Sequence, residues 1–272
     1  MDVYRELVGR YEHALNAVLP APNLEKFPKP PLLAPNAPVA LLFSPHPDDE
    51  AITGTLPLRL QREAGARVVN IAVTLGSDPK RRSARVKELE TACTLLGWGL
   101  ELHGWTGLTP EAVENPKPNP QNWLGSVVDI LDRWKPRWIF YPHAHDWHPT
   151  HRAVHRLVED ALKKTSLPAP PTRIQTEYWH PHAEPNLLVE CSPDSLGFLL
   201  AALSCHQGEI ARNPYHLTLP AWMADNVRRG AERLLGPGQP APKFKFGTLY
   251  HIEPQLPGSW KSVMAGNDLL RV

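Results

Sequence analysis

The sequence of 272 residues has few cysteines, almost no net charge and no long apolar run, and each shortage excludes a class of protein. Its three cysteines are odd in number and widely spaced, which argues against a disulfide-stapled scaffold. Because 29 Lys and Arg residues balance 28 Asp and Glu residues, the chain lacks the basic face on which nucleic-acid binding depends. No apolar run approaches the ~20 residues that a membrane span needs. We therefore expect a soluble, cytoplasmic, globular protein.

Proline and histidine are in excess. The 31 prolines are about twice as frequent as in an average protein. Residues 3–18 predict an amphipathic helix with mixed charges rather than a secretory signal. The proline-rich stretch up to residue 38 predicts an extended arm that lies over the domain. We thus predict an N-terminal helix and arm over residues 1–38 and a single domain over residues 39–272.

Strand and helix patterns alternate through the middle of the chain. Strands are predicted over 39–44, 66–74, 100–104 and 137–142, and helices over 50–64, 81–97, 121–135 and 149–164. Such alternation indicates parallel βαβ units. A proline-rich loop is predicted over 110–120, and the later pattern predicts two strands close enough to pair (173–180 and 186–191), two helices (194–209 and 219–235) and a last strand (246–252). The predicted fold is Rossmann-like three-layer α/β/α, with a mostly parallel sheet and a mixed C-terminal extension.

The first chemically distinctive segment directly follows the first predicted strand. Residues 44–50 read Ser-Pro-His-Pro-Asp-Asp-Glu. Open α/β sheets bind ligands beyond the carboxyl ends of their strands, and three acids cannot be buried there unpaired. A polar turn that caps the next helix would explain one acid. It would explain His46 and the adjacent aspartates poorly.

A second distinctive segment follows the fourth predicted strand. Five histidines lie within 13 residues, at positions His143, His145, His148, His151 and His155. Pro149 suits the first position of a helix, which makes His148 its N-cap. On that helix His148 and His151 share the inward, apolar face. We expect both to point toward the sheet edge that carries His46 and Asp49.

Together the two segments predict a mononuclear metal site. His46, Asp49 and His151 are the expected ligands, because three protein ligands with an open position is the arrangement of catalytic zinc. Asp48 could accept the proton of a metal-activated water, and His148 could stabilise the oxyanion or protonate the leaving group. The chemistry implied is metal-assisted hydrolysis of an amide, ester or similar bond.

The motif Pro-His-Pro-Asp-Asp-Glu at 45–50, with His-Pro-Thr-His at 148–151, resembles the LmbE-like/PIG-L family of zinc-dependent N-deacetylases. That family removes acetyl groups from N-acetylglucosaminyl substrates. The resemblance spans most of residues 39–252, and the overall layout is similar to that of the diacetylchitobiose deacetylases. Weaker similarities are Arg85-x-x-Glu88, the segment Leu203 to Gln207, and the segment Leu249 to Ile252.

The resemblance implies one zinc ion per chain, although the ligand types also suit iron or cobalt. It implies a small-molecule N-acylated sugar or glycoconjugate as the substrate, and it raises the expectation of a homo-oligomer. Arg85 would lie near the sugar, and His251 could reach it across a subunit contact. The roles that it implies at the centre are zinc binding by His46, Asp49 and His151, general-base catalysis by Asp48, and stabilisation of the tetrahedral intermediate by His148.

One position departs from the family pattern, which usually has aspartate where this chain has Thr150. That aspartate orients the histidine at 148, and Thr150 cannot supply its charge. We predict that Asp146 takes its place; without an orienting group, the pKa of His148 would fall and activity would drop about 10–100-fold. Trp147 beside the site could stack on a sugar ring, or it could pack on the rim.

The predicted function is hydrolytic removal of an N-acetyl group from an N-acetylglucosamine-type sugar or glycoconjugate. Two alternatives stay open. One is a metal hydrolase of another acyl or amide substrate, since the site chemistry does not specify acetate. The other is a non-catalytic sugar- or metal-binding relative, which Thr150 favours and the intact Asp48 opposes.

Overall fold

The computed structural model describes residues 2–115, 121–253 and 269–271. The described residues form ten α-helices: α1 Val3–Leu15, α2 Asp49–Ile52, α3 Thr55–Ala64, α4 Arg82–Leu96, α5 Pro110–Glu114, α6 Trp123–Trp134, α7 Pro149–Leu162, α8 Pro193–Ser204, α9 Gln207–Arg212 and α10 Tyr215–Leu234. They also form eight strands: β1 Val39–Ser44, β2 Arg67–Ala72, β3 Gly99–Leu102, β4 Trp138–Pro142, β5 Thr172–Thr176, β6 Leu187–Glu190, β7 Gly247–Glu253 and β8 Leu269–Arg271.

The strands form one sheet in the order β3-β2-β1-β4-β5-β7-β6-β8. The first five of these strands pair in parallel, and the last three pairings are antiparallel. The predicted α/β fold with a mixed C-terminal extension is confirmed. The predicted pairing of the two strands after residue 171 is wrong, because β7 lies between β5 and β6. The Tyr250 hydroxyl fixes β7 there: it donates to the Thr53 carbonyl (2.7 Å) and accepts from the Leu56 N–H (3.1 Å).

Helices cover both faces of the sheet and enclose a core on each. Alternate residues of β1 pack into the two cores, because successive side chains of a strand point to opposite faces of the sheet. Leu41 and Phe43 pack with α6 and α7, whereas Ala40 and Leu42 pack with α3, α4, α8 and α10. Strands buried on both faces explain why β1 and β4 are apolar throughout.

Two predicted helices are each divided in two. The helix predicted over 50–64 breaks between α2 and α3, where a side chain on Gly54 would collide with Leu199 (2.7 Å) and the Glu50 carbonyl (2.8 Å). The helix predicted over 194–209 breaks between α8 and α9. Gly97 ends α4 in the left-handed conformation (φ 68°), as a glycine at this position predicts.

The N-terminal segment contacts the domain through its proline-rich part. Helix α1 ends at Leu15 and buries no residue. The ring of Phe27 packs 5.7 Å from that of Phe198, and Pro30 lies against Gly97. The loop predicted over 110–120 begins with α5, and residues 116–120 lie outside the described residues, as does most of the predicted tail. Within the described ranges, no helix has the length and apolar character needed to cross a membrane.

Candidate metal centre

The two polar segments meet at the carboxyl ends of β1 and β4. These strands are parallel neighbours in the middle of the sheet, so their carboxyl ends lie at the same edge. The segment after β1 leads into α2, and the segment after β4 leads into α7. Both line one open cavity of about 740 Å³, a size typical of small-molecule sites.

Three donor atoms at the base of this cavity form a nearly equilateral triangle. His46 Nδ1 lies 3.2 Å from His151 Nε2, and each nitrogen lies 3.4 Å from Asp49 Oδ2. A tetrahedral ion with zinc-type bond lengths of about 2.0–2.2 Å separates its ligands by about 3.3–3.6 Å. The triangle therefore has the spacing that a single tetrahedral divalent ion requires.

A second donor set overlaps the first. The rings of His46, His148 and His151 offer nitrogens that all lie within 4.8 Å of one another. The ring of His148 meets that of His46 edge-on, with centroids 4.6 Å apart. Because the triangle with Asp49 is tighter, it fits one ion better, and His148 is left beside it.

The residues of the triangle shift one another's pKa values. Burial lowers the pKa of His151, but the carboxylate of Asp49 and a contact between His151 Nδ1 and Asp146 Oδ2 (3.3 Å) raise it to about 10. Burial raises the pKa of Asp49, but His151 and His46 outweigh it and hold this pKa well below its usual range. The metal-free centre thus keeps a proton on His151, which a metal ion must displace.

Asp48 is buried beside the triangle in a strained conformation. Its φ of 110° lies in the region that L-residues rarely adopt, at a cost of about 1–3 kcal/mol. Its backbone N–H donates to the Glu50 carboxylate (3.0 Å), and it makes no side-chain cap hydrogen bond to α2. Burial and the adjacent Asp49 charge raise the pKa of Asp48 well above its usual value. A carboxylate with a raised pKa is suited to accept a proton near neutral pH.

The pair of Glu50 and His206 supports this strained turn. Both side chains are fully buried, and His206 Nε2 lies 2.7 Å from Glu50 Oε1. Burial alone would lower the pKa of His206, but the Glu50 charge raises it. We did not predict this pair. The sequence offers two signals for it: the third acid of the motif, which needs a partner once it is buried, and the segment Leu203 to Gln207, which contains His206.

His148 caps α7 with its own ring. Its Nδ1 accepts the Thr150 N–H (3.2 Å), and its backbone N–H donates to Asp146 (2.8 Å). The expected contact between Asp146 and the His148 ring is not formed, because the Asp146 carboxylate meets the ring of His151 instead. Desolvation and the charges of His46 and His151 lower the pKa of His148 to about 4. In the neutral ring, Nδ1 accepts a hydrogen bond, so Nε2 carries the proton.

Arg85 lies on the cavity wall, as expected for a residue near the substrate. One of its terminal nitrogens donates to the Pro47 carbonyl (2.9 Å), and its Nε lies 3.7 Å from Glu209. Gly76 makes room for this guanidinium, since a Cβ on Gly76 would lie 2.0 Å from Arg85 Nη1.

Of the other two residues expected to contact the substrate, Trp147 lies at the cavity and His251 lies away from it. Trp147 lines the cavity, is 69% exposed, and has its ring 4.7 Å from that of His180. His251 does not line the cavity: its Nδ1 lies 2.6 Å from the Glu184 carbonyl and its ring stacks on His182. The insertion of β7 between β5 and β6 carries it away. Contact of His251 with substrate across a subunit interface stays a prediction.

Comparison with known proteins gives a family match over part of the chain. Residues 41–162 match the family described as PIG-L: GlcNAc-PI de-N-acetylase. No curated protein gives a significant match to the chain.

Solved structures share the fold. A conserved protein from Thermus thermophilus is 23% identical, with a TM-score of 0.58 over 80% of this chain and 94% of that one. The N,N'-diacetylchitobiose deacetylase from Pyrococcus horikoshii is 17% identical, with a TM-score of 0.58 over 93% and 94%. The 4-carboxy-2-hydroxymuconate hydratase GalB from Pseudomonas putida is 17% identical, with a TM-score of 0.59 over 80% and 98%. The match to the PIG-L family thus covers residues 41–162, which contain both polar segments, and the solved structures share the fold.

Proposed function

We propose that this protein is a zinc-dependent hydrolase that removes the N-acetyl group from an N-acetylglucosamine-type sugar or glycoconjugate. The observation that carries the proposal is the triangle of His46, Asp49 and His151, with the buried carboxylate of Asp48 beside it in an open cavity. The description of the matching family as a de-N-acetylase supports the same reaction.

In this proposal His46, Asp49 and His151 hold the ion. Two imidazoles and one carboxylate are ligands that zinc accepts, although iron and cobalt accept them too. The bound ion would supply Lewis-acid polarisation of the acyl carbonyl and a lower pKa for the attacking water. Asp146 positions the ring of His151 from behind, in the manner of a carboxylate–histidine–metal arrangement.

Asp48 is assigned as the general base. Its raised pKa matches the task of taking a proton from water near neutral pH. The Glu50 carboxylate holds the Asp48 backbone in the conformation that places the side chain beside the triangle. Asp48 would then pass the same proton to the leaving nitrogen.

His148 is assigned as a hydrogen-bond donor to the oxyanion. Because the Thr150 N–H occupies its Nδ1, the neutral ring presents Nε2–H at the cavity. Removing one such donor typically costs about 10²–10³ in kcat. The charges of Asp49 and Asp146 favour a protonated ring, but desolvation and the charges of His46 and His151 outweigh them, so His148 donates a hydrogen bond without transferring a proton.

The test is acetate release by metal-loaded protein from N-acetylglucosamine, its short oligomers and its conjugates, with a chelator-treated control. Asp48→Asn should keep about one metal ion per chain and lose activity by about 10²–10⁴. Asp78→Asn, which changes an exposed aspartate in the β2–α4 loop, serves as the matched control and should retain activity. Activity of Asp48→Asn within tenfold of wild type would remove Asp48 from the base role.

The metal assignment has its own test. His151→Ala should lose the bound ion, measured as metal content after dialysis. Full occupancy in that variant would overturn the ligand assignment while leaving the reaction open.

A second candidate is a metal-dependent enzyme acting on a different bond. The fold similarity to a hydratase favours keeping it, because that neighbour's reaction removes no acetyl group. A panel of other N-acyl and ester substrates separates it from the first proposal. A non-catalytic role is disfavoured by the buried, strained Asp48, whose conformation costs stability.

A further inference from the structure

Arg82, at the first position of α4, is a charged residue of the cavity that the proposed chemistry does not use. Its guanidinium lines the same cavity as the triangle. Its Nε is buried and has no hydrogen-bond partner. Across residues 2–115, 121–253 and 269–271, no carboxylate or other acceptor pairs with this side chain.

The neighbouring arginines are all partnered. Arg81 pairs with Glu88 at 3.2 Å, and Arg212 pairs with Glu209 at 2.6 Å. Arg85 Nε also makes no hydrogen bond, but it lies 3.7 Å from the same Glu209 carboxylate. Arg82 is therefore a cation on the cavity wall that lacks the counter-ion its neighbours have.

An unpartnered guanidinium nitrogen of this kind is costly. A buried donor that gives up water without gaining an acceptor loses free energy, and native proteins contain few of them. The loss is recovered if a ligand supplies the acceptor. A guanidinium is suited to oxyanions, because its planar fork matches carboxylate and phosphate oxygens.

The surroundings of Arg82 add to the positive potential. The first turn of α4 contains no acidic residue, although helix N-termini usually favour one. Of the acids that line the cavity, Glu209 already pairs with Arg85 and Arg212. The other lining acids belong to the triangle and its supports. Arg82 is thus left without a counter-charge next to a site that is proposed to bind a sugar.

We infer that this wall binds an anionic substituent of the substrate, a carboxylate or a phosphate, with Arg82 as the contact residue. The inference rests on the proposed function and narrows it: the N-acyl group lies at the triangle while the oxyanion lies at Arg82. A cavity of about 740 Å³ accommodates a sugar with such a substituent. A neutral N-acetyl sugar would leave Arg82 unpaired and would be the poorer substrate.

Kinetics with matched substrates test this inference. Wild-type enzyme should show a kcat/KM for N-acetylglucosamine 1-phosphate or N-acetylmuramic acid about 10- to 100-fold above that for N-acetylglucosamine. Arg82→Gln should abolish this preference and leave the neutral substrate within threefold. Lys87→Gln removes a cation from the exposed side of the same helix and should leave all three values unchanged. Comparison of the phosphate and carboxylate substrates shows which of the two oxyanions the site prefers. Arg82→Lys should recover only part of the preference for an anionic substrate, because lysine lacks the planar guanidinium.

Equilibrium binding provides a readout that does not depend on turnover. Calorimetry with glucosamine 1-phosphate, muramic acid and glucosamine on the metal-loaded protein should show tighter binding of an anionic sugar, lost in Arg82→Gln and kept in Lys87→Gln. If no substrate is deacetylated but this pattern appears, the proposed function fails and the anion site stands. If deacetylation proceeds and neither binding nor kcat/KM responds to Arg82→Gln, the anion site is refuted and the proposed function stands.

Discussion

Metal binding at the candidate centre should depend on pH, because His151 carries a proton in the metal-free protein. Although burial opposes it, Asp49 and Asp146 raise the pKa of His151 to about 10. At pH 7 roughly one molecule in a thousand then has a neutral His151, so the apparent metal affinity should lie about 10³-fold below its limit at high pH. His143 and His148 have pKa values lowered to about 4 and are already neutral.

Metal binding should strengthen as the pH rises. Raising the pH removes the competing proton, so affinity should increase about tenfold per pH unit between pH 7 and 9. Competition with a chromophoric chelator, corrected for the chelator's own protonation, measures this slope. Calorimetry in buffers of different ionisation enthalpy should count about one proton released per ion at pH 7.5.

Two variants test whether the proton released on metal binding comes from His151. Asp146→Asn removes one of the two carboxylates that raise the pKa of His151, so it should reduce both the slope and the proton release. His145→Gln changes an exposed histidine of the same segment and should leave both unchanged. An affinity that stays constant from pH 7 to 9, with no proton released, would show that His151 is neutral in the metal-free protein and would refute this reasoning.

Two further substitutions test supports of the site. His206→Ala should lower the free energy of unfolding by about 3–5 kcal/mol in urea titrations, because the buried Glu50 carboxylate would lose its ion pair with His206. Adding Glu50→Gln should restore part of the loss, and a loss below about 1 kcal/mol would count against the buried pair. Gly76→Ala should raise KM for sugar substrates by displacing Arg85, whereas Gly65→Ala, also at positive φ but with open space around it, should cost only about 1 kcal/mol of stability. Equal effects of the two glycine variants on kcat/KM would contradict the collision with Arg85.

The strand–helix alternation, and the edge of the sheet where polar residues gather, follow from local patterns along the chain. A strand buried on both faces is apolar throughout, so β1 and β4 were predicted close to their observed bounds. Parallel strands bring their carboxyl ends to one edge, so the segments after β1 and β4 had to meet. The closeness of His46, Asp49 and His151 follows from that rule, although their metal-binding role stays a prediction.

Features that depend on contacts between distant parts of the chain become visible only in the folded molecule. The placement of β7 between β5 and β6, which removes His251 from the cavity, results from competition among strand pairings that local patterns do not record. The ring of His148 is oriented by the Thr150 N–H rather than by Asp146, because the Asp146 carboxylate contacts the ring of His151 and the backbone N–H of His148 instead. Arg82 likewise reads as an ordinary helix residue in the sequence. Its lack of a partner becomes visible only when the packed structure shows which acceptors reach it.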